Sequence, residues 1–294
     1  MGDAAPNARR ITAATRLTAI FGDPVEHSLS PAMHNAAYDA LGMDRRYVAF
    51  RVRPADLGAA LRAIPALGII GVNLTVPHKE AALRHVDSLS TEARIVRAVN
   101  CVIDRRGVLH GDNTDARGLE LDLRSHRAPI AGKAVLIIGA GGAAASAVLA
   151  CMRMRAAKIV IANRTPRRAA RLARRLSKLA SDRVRIETRG LDSLRDRALV
   201  GDAAAIVNAT PMGLVTRRFA ALDYAATAGN CFFYDLIYGL APTPFLKPAS
   251  ALGRPHADGA GMLAGQGEIA FKLFNGVAPP HGVMRRALWE RLGR

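Results

Sequence analysis

Cysteine is scarce in this sequence, and its three residues, Cys101, Cys151 and Cys231, lie far apart along the chain. They form no C-x-x-C pair, so neither a disulfide framework nor a zinc site is indicated, and we expect no metal. A chain that does not depend on disulfides suits a reducing compartment, and we expect a cytoplasmic protein. The first 15 residues are polar and lack the apolar stretch of a secretory signal, which agrees with that expectation.

Acidic residues are also few, since 24 Asp and Glu stand against 42 Lys and Arg, a formal net charge of +18. Such basicity can indicate a nucleic-acid-binding protein. Much of the excess, however, lies between Arg164 and Arg197, where apolar residues at helical spacing predict a helix over about 166–179 with its arginines on the solvated face. No aromatic residues interleave with these arginines, as base stacking would require. A basic exposed helix is therefore favoured, and we expect no nucleic-acid partner.

Residues 134–152 form an uncharged run that is long enough to span a bilayer. A glycine cluster at its centre would break such a helix, and a strand followed by a turn and a helix explains the run better. We therefore predict no membrane span. The chain has 294 residues, of which 50% are hydrophobic, and this length suits one large or two ordinary α/β domains.

Short apolar segments alternate with helical patterns, which is typical of α/β proteins with a parallel sheet. Ser30 followed by Pro31 predicts a helix start, with Ser30 as the N-cap. The principal predicted strands are 17–21, 47–52, 69–74, 134–138, 158–162, 183–188, 204–208 and 231–238.

A glycine-rich turn follows the predicted strand at 134–138. Gly139, Gly141 and Ala144 match the dinucleotide fingerprint G-x-G-x-x-G/A. Gly139 permits a sharp turn, and Gly141 lets backbone amides approach a pyrophosphate at the helix N-terminus. Taken alone the motif is weak, because a glycine turn before a helix can serve packing only.

The next predicted strand ends in Asn163-Arg164-Thr165, where NAD-binding proteins of this kind carry an acidic residue for the ribose 2′-hydroxyl. No acidic residue is present here, and the guanidinium of Arg164 could instead hold a 2′-phosphate. The alternative is that the arginines merely begin the exposed helix, which is favoured for Arg168. For Arg164, at the end of the strand, the sequence favours binding of NADP.

Two residues outside this region are candidates for proton transfer. Lys79 lies at a predicted helix start, where a cation opposes the helix dipole, so a purely structural role explains it poorly. Asp115 lies in the polar turn G-D-N-T-D, where an N-cap or Asx-turn role is the alternative. A lysine and a carboxylate that meet in a cleft would form a proton-transfer pair.

From Leu17 to Gly276 the chain resembles the shikimate dehydrogenase family, which interconverts 3-dehydroshikimate and shikimate with NADP. The resemblance rests on nine blocks in one order, which together are highly specific. The blocks are G-D-P-V-E-H-S-L-S-P-A-M-H-N, N-L-T-V-P-H-K-E, A-V-N-C, G-D-N-T-D, G-A-G-G-A, N-R-T, N-A-T-P-M-G, Y-D-L-I-Y and D-G-A-G-M-L-A-G-Q.

The resemblance implies two α/β domains around a cleft, an α/β substrate-binding domain and a Rossmann NADP-binding domain. The substrate-binding domain would comprise residues 1–115, completed by C-terminal helices in 258–294, and the NADP-binding domain would comprise 116–257. Lys79 would be the principal acid/base group, with Asp115 keeping it positioned. The substrate side would be completed by Ser28, Ser30 and Tyr238 at the carboxylate, and by Thr75, Asn100, Asp115 and Gln266 at the ring hydroxyls.

The same resemblance implies three groups of residues for NADP. Met212 has core packing as an equally favoured alternative. The groups are Gly139, Ala140, Gly141, Gly142 and Ala143 for the pyrophosphate; Asn163, Arg164 and Thr165 for the 2′-phosphate; and Thr210, Met212 and Gly259 for the nicotinamide end.

Three positions depart from the family pattern: Cys101 replaces a threonine, Ala116 a glycine, and Gly267 an alanine. None removes an implied catalytic group, but Cys101 could shift the substrate preference. A quinate/shikimate dehydrogenase acting on a related ring is therefore the alternative enzyme. A nucleic-acid-binding protein and an NADP-sensing regulator without turnover are the alternatives of another class. The expected partner is a small-molecule substrate, and a homodimer is left open.

Overall fold

The computed structural model describes residues 11–179, 184–213 and 219–294. The chain divides into two compact units, which are residues up to 114 together with 266–294, and residues 115–265. The chain thus passes from one unit to the other twice. Which unit holds substrate and which holds NADP stays a prediction.

The first unit contains a six-stranded mixed sheet in the order β2-β1-β3-β5-β6-β4. Strands β2 and β3 both pair parallel with β1, whereas β5 pairs antiparallel with β3 and β6. The strands are β1 (Arg16–Gly22), β2 (Arg45–Arg51), β3 (Gly71–Leu74), β4 (Ser88–Leu89), β5 (Cys101–Arg105) and β6 (Val108–Asp112), and the helices are α1 (Ser30–Ala40), α2 (Leu57–Ala66), α3 (His78–Ala81) and α4 (Thr91–Val96).

The second unit contains a six-stranded sheet in the order β12-β11-β10-β7-β8-β9, and every strand pair in it is parallel. Its central strands are runs of buried aliphatic residues, because helices cover both faces of a parallel sheet. The elements are α5 (Asp115–Ser125), β7 (Ala134–Ile138), α6 (Gly142–Arg153), β8 (Lys158–Asn163), α7 (Pro166–Ser177), β9 (Arg185–Gly190), α8 (Arg197–Asp202), β10 (Ala203–Asn208), β11 (Phe232–Asp235), α9 (Leu246–Ala251) and β12 (His256–Asp258).

Helix α10 (Ala260–Asn275) follows, and α11 (Val283–Arg291) packs on α1 in the first unit. The prediction of an α/β fold with a Rossmann unit is confirmed by this strand order. None of the described helices is both long and apolar enough to cross a membrane. Residue 183, the predicted start of β9, lies outside the described residues.

Two local predictions are wrong. Helix α1 begins at Ser30 itself, and Ser30 is not its N-cap, because the Met33 amide that such a cap would bind donates to the Leu29 carbonyl at 3.3 Å. The Ser28 hydroxyl instead accepts the Ser30 amide at 3.3 Å. Strand β11 ends at Asp235, short of Tyr238, because Asp235 Oδ1 accepts the Ile237 amide at 3.1 Å and turns the chain.

His34 is a fully buried member of α1 in an aromatic cluster of the first unit. Its ring stacks on that of Tyr47 with centroids 4.1 Å apart, and the ring centroids of Phe271 and Phe274 lie 5.9 and 6.2 Å away. Neither ring nitrogen has a hydrogen-bond partner among the described residues. Burial without a partner penalises the imidazolium and lowers the pKa of His34 to about 3.

We predict that acid destabilises this protein partly through His34. In the unfolded chain His34 binds a proton at the ordinary pKa of 6.5, whereas in the folded chain its pKa is about 3. The free energy of unfolding therefore decreases as the pH is lowered from 6.5 to about 3. The loss should approach about 1.4 kcal/mol per pH unit. Urea titrations of the parent and His34→Leu between pH 7 and 4 measure the difference.

The control variant is His281→Leu, because His281 is exposed. It should follow the parent, whereas His34→Leu should lose less stability on acidification. Parallel pH profiles for the parent and His34→Leu would contradict the prediction.

Candidate functional site

Three of the implied substrate-binding residues follow the carboxyl ends of adjacent parallel strands. Ser28 and Ser30 follow β1, and Thr75 follows β3. The Thr75 amide donates to the Phe21 carbonyl at 3.0 Å, and a Cβ on Gly22 would stand 2.5 Å from Thr75 Cγ2. Because parallel strands end at the same sheet edge, Thr75 lies directly beside the segment that leads to the two serines.

Lys79 lies half-buried on the short helix α3, immediately after this edge. The helix is fixed at two points. The His78 ring nitrogen Nε2 lies 2.7 Å from the Val52 carbonyl, and the Lys79 carbonyl accepts the Val99 amide at 2.8 Å. The second bond joins the backbone of Lys79 to the residue before Asn100. The segments that carry the implied acid/base group and an implied hydroxyl-binding group are therefore held side by side.

Asn100 is the centre of a buried amide cluster. Its Oδ1 accepts the Thr114 amide at 2.8 Å, and its Nδ2 donates to Thr114 Oγ1 at 3.0 Å and to Gln266 Oε1 at 3.4 Å. Gln266 comes from α10, far along the chain. The structure therefore brings Asn100 and Gln266 together. Two residues that bind hydroxyl groups of the same substrate ring would have to lie this close to each other. Asp115 is the next residue after Thr114 and begins α5, where it is buried.

Two residues that support this cluster, Asn73 and Tyr47, were not predicted from the sequence. Asn73 Nδ2 donates to the Asn100 carbonyl at 3.0 Å, and its Oδ1 accepts from the Tyr47 hydroxyl at 2.8 Å. The Tyr47 hydroxyl also hydrogen-bonds the side chain of Ser30, and burial raises its pKa well above 10, so it keeps its proton. An asparagine inside an apolar strand was a usable signal for Asn73, whereas Tyr47 resembles any strand aromatic.

Two departures from the family pattern lie close to these residues. Cys101 is fully buried on β5 and stands opposite Asn73 in the antiparallel register. At Gly267, a Cβ would stand 3.2 Å from Met284 Cε and 3.4 Å from Met33 Cε. Glycine at position 267 therefore accommodates two methionine side chains that an alanine would press against.

The glycine-rich loop of the second unit has two glycines with different physical requirements. Gly139 has φ +121°, and a Cβ there would stand 2.8 Å from the Ala209 carbonyl oxygen. Gly141 precedes α6 with an extended φ of −92°, and a Cβ there would meet open space. No side chain caps the start of α6, so its first amides fit a bound phosphate group.

The implied 2′-phosphate residues follow β8, the strand next to the glycine loop. Asn163 Nδ2 donates to the Thr165 carbonyl at 2.9 Å and shapes the turn between them. Arg164 and Thr165 are both exposed at this turn, just before α7 begins at Pro166. The turn therefore presents a guanidinium and a hydroxyl at the carboxyl end of a parallel strand, which is where this fold binds nucleotides.

The implied nicotinamide residues follow β10 and β12. Thr210 Oγ1 donates to Asn208 Oδ1 at 2.7 Å and accepts the Met212 amide at 3.2 Å. Gly259 must lack a side chain, because a Cβ there would overlap the Leu236 carbonyl. Tyr238, the implied carboxylate neighbour, is half-buried in the second unit, and burial raises its pKa above 10.

The described geometry is that of an α/β oxidoreductase, and comparisons with known proteins agree. Family models match residues 20–102 (shikimate dehydrogenase substrate binding domain), 122–218 (shikimate/quinate 5-dehydrogenase) and 259–288 (shikimate 5′-dehydrogenase C-terminal domain). A shikimate dehydrogenase (NADP(+)) of Citrifermentans bemidjiense is 42% identical over 96% of this chain and 97% of the relative. The chain belongs to the shikimate dehydrogenase family.

Solved structures support the same grouping. Shikimate 5-dehydrogenase from Thermus thermophilus, in complex with NADP(H) and shikimate, matches with a TM-score of 0.82 and 36% identity, covering 94% of this chain and 99% of that one. Quinate dehydrogenase from Corynebacterium glutamicum, in complex with NAD, matches with a TM-score of 0.83 and 30% identity, covering 94% and 99%.

The two loop glycines generate a paired prediction. Gly139→Ala should lower the free energy of unfolding by about 1–3 kcal/mol, because it combines a positive φ with a steric overlap. Gly141→Ala should leave stability nearly unchanged but weaken NADP⁺ binding, because its methyl group would point into the space that a pyrophosphate needs. Thermal denaturation and calorimetric titration with NADP⁺ separate the two effects. Unchanged NADP⁺ affinity in Gly141→Ala would contradict the second half of the prediction.

Proposed function

We propose that the protein catalyses the reversible, NADP-dependent reduction of 3-dehydroshikimate to shikimate. The observation that carries the proposal is the buried cluster of Asn100, Thr114 and Gln266, anchored beside the backbone of Lys79. Such a cluster suits a ligand that presents several hydroxyl groups, and a lysine suits proton exchange with one of them. The relatives at 42% and 41% identity are both named shikimate dehydrogenase (NADP(+)), which supports the proposal.

Substrate binding would use groups of two kinds. Amide and hydroxyl side chains both donate and accept, so Thr75, Asn100 and Gln266 can pair with ring hydroxyls in either direction. The Ser28 and Ser30 hydroxyls would donate to the substrate carboxylate.

Tyr238 and Asp115 complete the proposed set. Tyr238 would lie near the carboxylate as a further hydroxyl donor. Asp115 would accept from a ring hydroxyl and keep Lys79 oriented.

The chemical step needs a hydride and a proton. The hydride would come from NADPH held by the second unit and would go to the C3 carbonyl carbon. The ammonium of Lys79 would give its proton to the oxygen as negative charge develops there, and in the reverse direction the neutral amine would take the hydroxyl proton. The glycine loop and the Asn163-Arg164-Thr165 turn would hold the pyrophosphate and the 2′-phosphate.

Quinate is the alternative substrate, since a quinate dehydrogenase has the same fold. Cys101 is the residue we would examine first, because it stands opposite Asn73 in the sheet.

Assays of NADP⁺ and NAD⁺ reduction with shikimate and with quinate decide between the two substrates. Absence of turnover with either acid, with NADP⁺ binding retained, would favour the NADP-sensing regulator. A cytoplasmic location remains part of this proposal, and a homodimer is left open.

We predict that Lys79→Ala lowers kcat by about 10²–10⁴, because it removes the group that exchanges the proton. The KM for shikimate should change far less. Steady-state oxidation of shikimate measures both constants. Lys272→Ala, an exposed lysine of α10, is the control and should resemble the parent. Near-normal turnover of Lys79→Ala would contradict the assignment of Lys79 as the acid/base group.

We also predict a strong preference for NADP over NAD that depends on Arg164. Removing one charged hydrogen-bonding partner costs roughly 1.5–3 kcal/mol, so Arg164→Ala should narrow the ratio of the two kcat/KM values by about 10–100-fold. Arg168→Ala is the matched control, because Arg168 is exposed within α7 itself. Equal use of both cofactors by the parent protein would refute the prediction.

A further inference from the structure

Asp235 is a buried carboxyl group that the proposed reaction does not use. It ends β11 with a relative exposure of 0%. Its Oδ1 accepts from Asn208 Nδ2 at 2.8 Å and from the Ile237 amide at 3.1 Å, and its Oδ2 accepts from Thr243 Oγ1 at 2.5 Å. All three partners are neutral donors. Burial raises the pKa of Asp235 to about 6, while these donors favour the carboxylate.

An ionised carboxylate can only accept, and this fixes the direction of a chain of hydrogen bonds. Asn208 must turn its Nδ2 towards Asp235, so its Oδ1 faces Thr210. There it accepts both the Thr210 amide, at 3.1 Å, and the Thr210 hydroxyl, at 2.7 Å. The hydroxyl hydrogen is therefore committed to Asn208, and Thr210 Oγ1 can only accept from other groups, as it does from the Met212 amide.

The end of this chain of hydrogen bonds also packs against the glycine loop. The Ala209 carbonyl and Thr210 Cγ2 would stand 2.8 and 3.0 Å from a Cβ on Gly139. Residues 209 and 210 are thus packed directly on the turn that is expected to bind the pyrophosphate. A change in the Asn208 amide would move the Thr210 side chain, whose Cγ2 is packed against Gly139.

We propose that Asp235 is a positioning residue for NADP: through the amide of Asn208 it orients the Thr210 hydroxyl and holds the Thr210 side chain against Gly139. The inference rests on the proposed role of Thr210 and the glycine loop in cofactor binding. A neutral Asp235 can donate as well as accept, which releases the constraint on Asn208. The carboxyl of Asp258 and the phenol of Tyr224 also act on Asp235, and neither supplies a compensating positive charge.

The test is a double-mutant cycle on NADP⁺ affinity, measured by calorimetry on the full chain without substrate. Asp235→Asn keeps the shape of the side chain, and we expect it to raise the Kd for NADP⁺ about tenfold at pH 7.5. Thr210→Val should raise it similarly. Because Asp235 acts through Thr210, the double variant should bind within about twofold of Thr210→Val alone. Asp196→Asn, a helix cap of α8 in the same unit, is the control and should match the parent.

The pH dependence of the Kd for NADP⁺ distinguishes this role from a merely structural one, because a merely structural role would not change it. At pH 5.5 a larger fraction of Asp235 is neutral in the parent than at pH 7.5, so the difference in Kd between the parent and Asp235→Asn should narrow. Thr243→Val removes one donor that favours the carboxylate, and it should move the loss of affinity to higher pH. This second variant keeps the inference testable if Asp235→Asn does not fold.

Equal Kd values for the parent and Asp235→Asn would overturn the inference, and so would additive effects in the double variant. An unshifted pH profile in Thr243→Val would do the same. These measurements need no turnover, so they stand apart from the proposed reaction. A parent that binds NADP⁺ but does not oxidise shikimate would contradict the proposed function while leaving the positioning role intact.

Discussion

The constraint on which both units depend is that a buried asparagine side chain must satisfy its donor and its acceptor ends at once. A buried polar group left without a partner costs about 1–3 kcal/mol, so each end fixes the position of whatever satisfies it. In the first unit Asn100 fixes Thr114 and Gln266, which come from segments far apart in sequence. In the second unit Asn208 fixes Asp235 and Thr210.

The two asparagines occupy different positions relative to the strands of their sheets. Asn208 is the last residue of β10, so its side chain lies at the carboxyl edge of a parallel sheet, beside the glycine loop. Asn100 precedes β5, an antiparallel neighbour of β3, and its backbone carbonyl accepts the Leu74 amide at the carboxyl end of β3 at 2.9 Å. Both sites therefore form at the edge where parallel strands end, which is the usual place for ligands in α/β proteins.

Much of this fold follows from local sequence patterns. The apolar run of β7 and the glycine turn after it are contiguous, so their prediction is confirmed with the same bounds, Ala134–Ile138. The family and the NADP class were also recognisable, because they rest on ordered blocks of sequence. The predicted cap at Ser30 was wrong, because the backbone bond between Met33 and Leu29 competes for the same donor.

Other features lay beyond local patterns. Tyr47 reads as an ordinary strand aromatic, and its pairing with Asn73 depends on β2 and β3 lying on either side of β1. Asp235 reads as part of a family block, and its role in orienting Asn208 depends on β10 and β11 being neighbours. The pKa shifts of His34 and Asp235 also follow from burial, which no short segment specifies.

Local sequence was enough to specify the strand–turn–helix at 134–153 and the polar residues available for a substrate, and it predicts a 2′-phosphate site at Arg164. These depend on residues that are close along the chain, where covalent geometry and residue type suffice. Which of those residues share hydrogen bonds follows from the three-dimensional fold alone. Those bonds join segments such as Asn100 and Gln266, and they exist because strand order and helix packing bring distant backbones together.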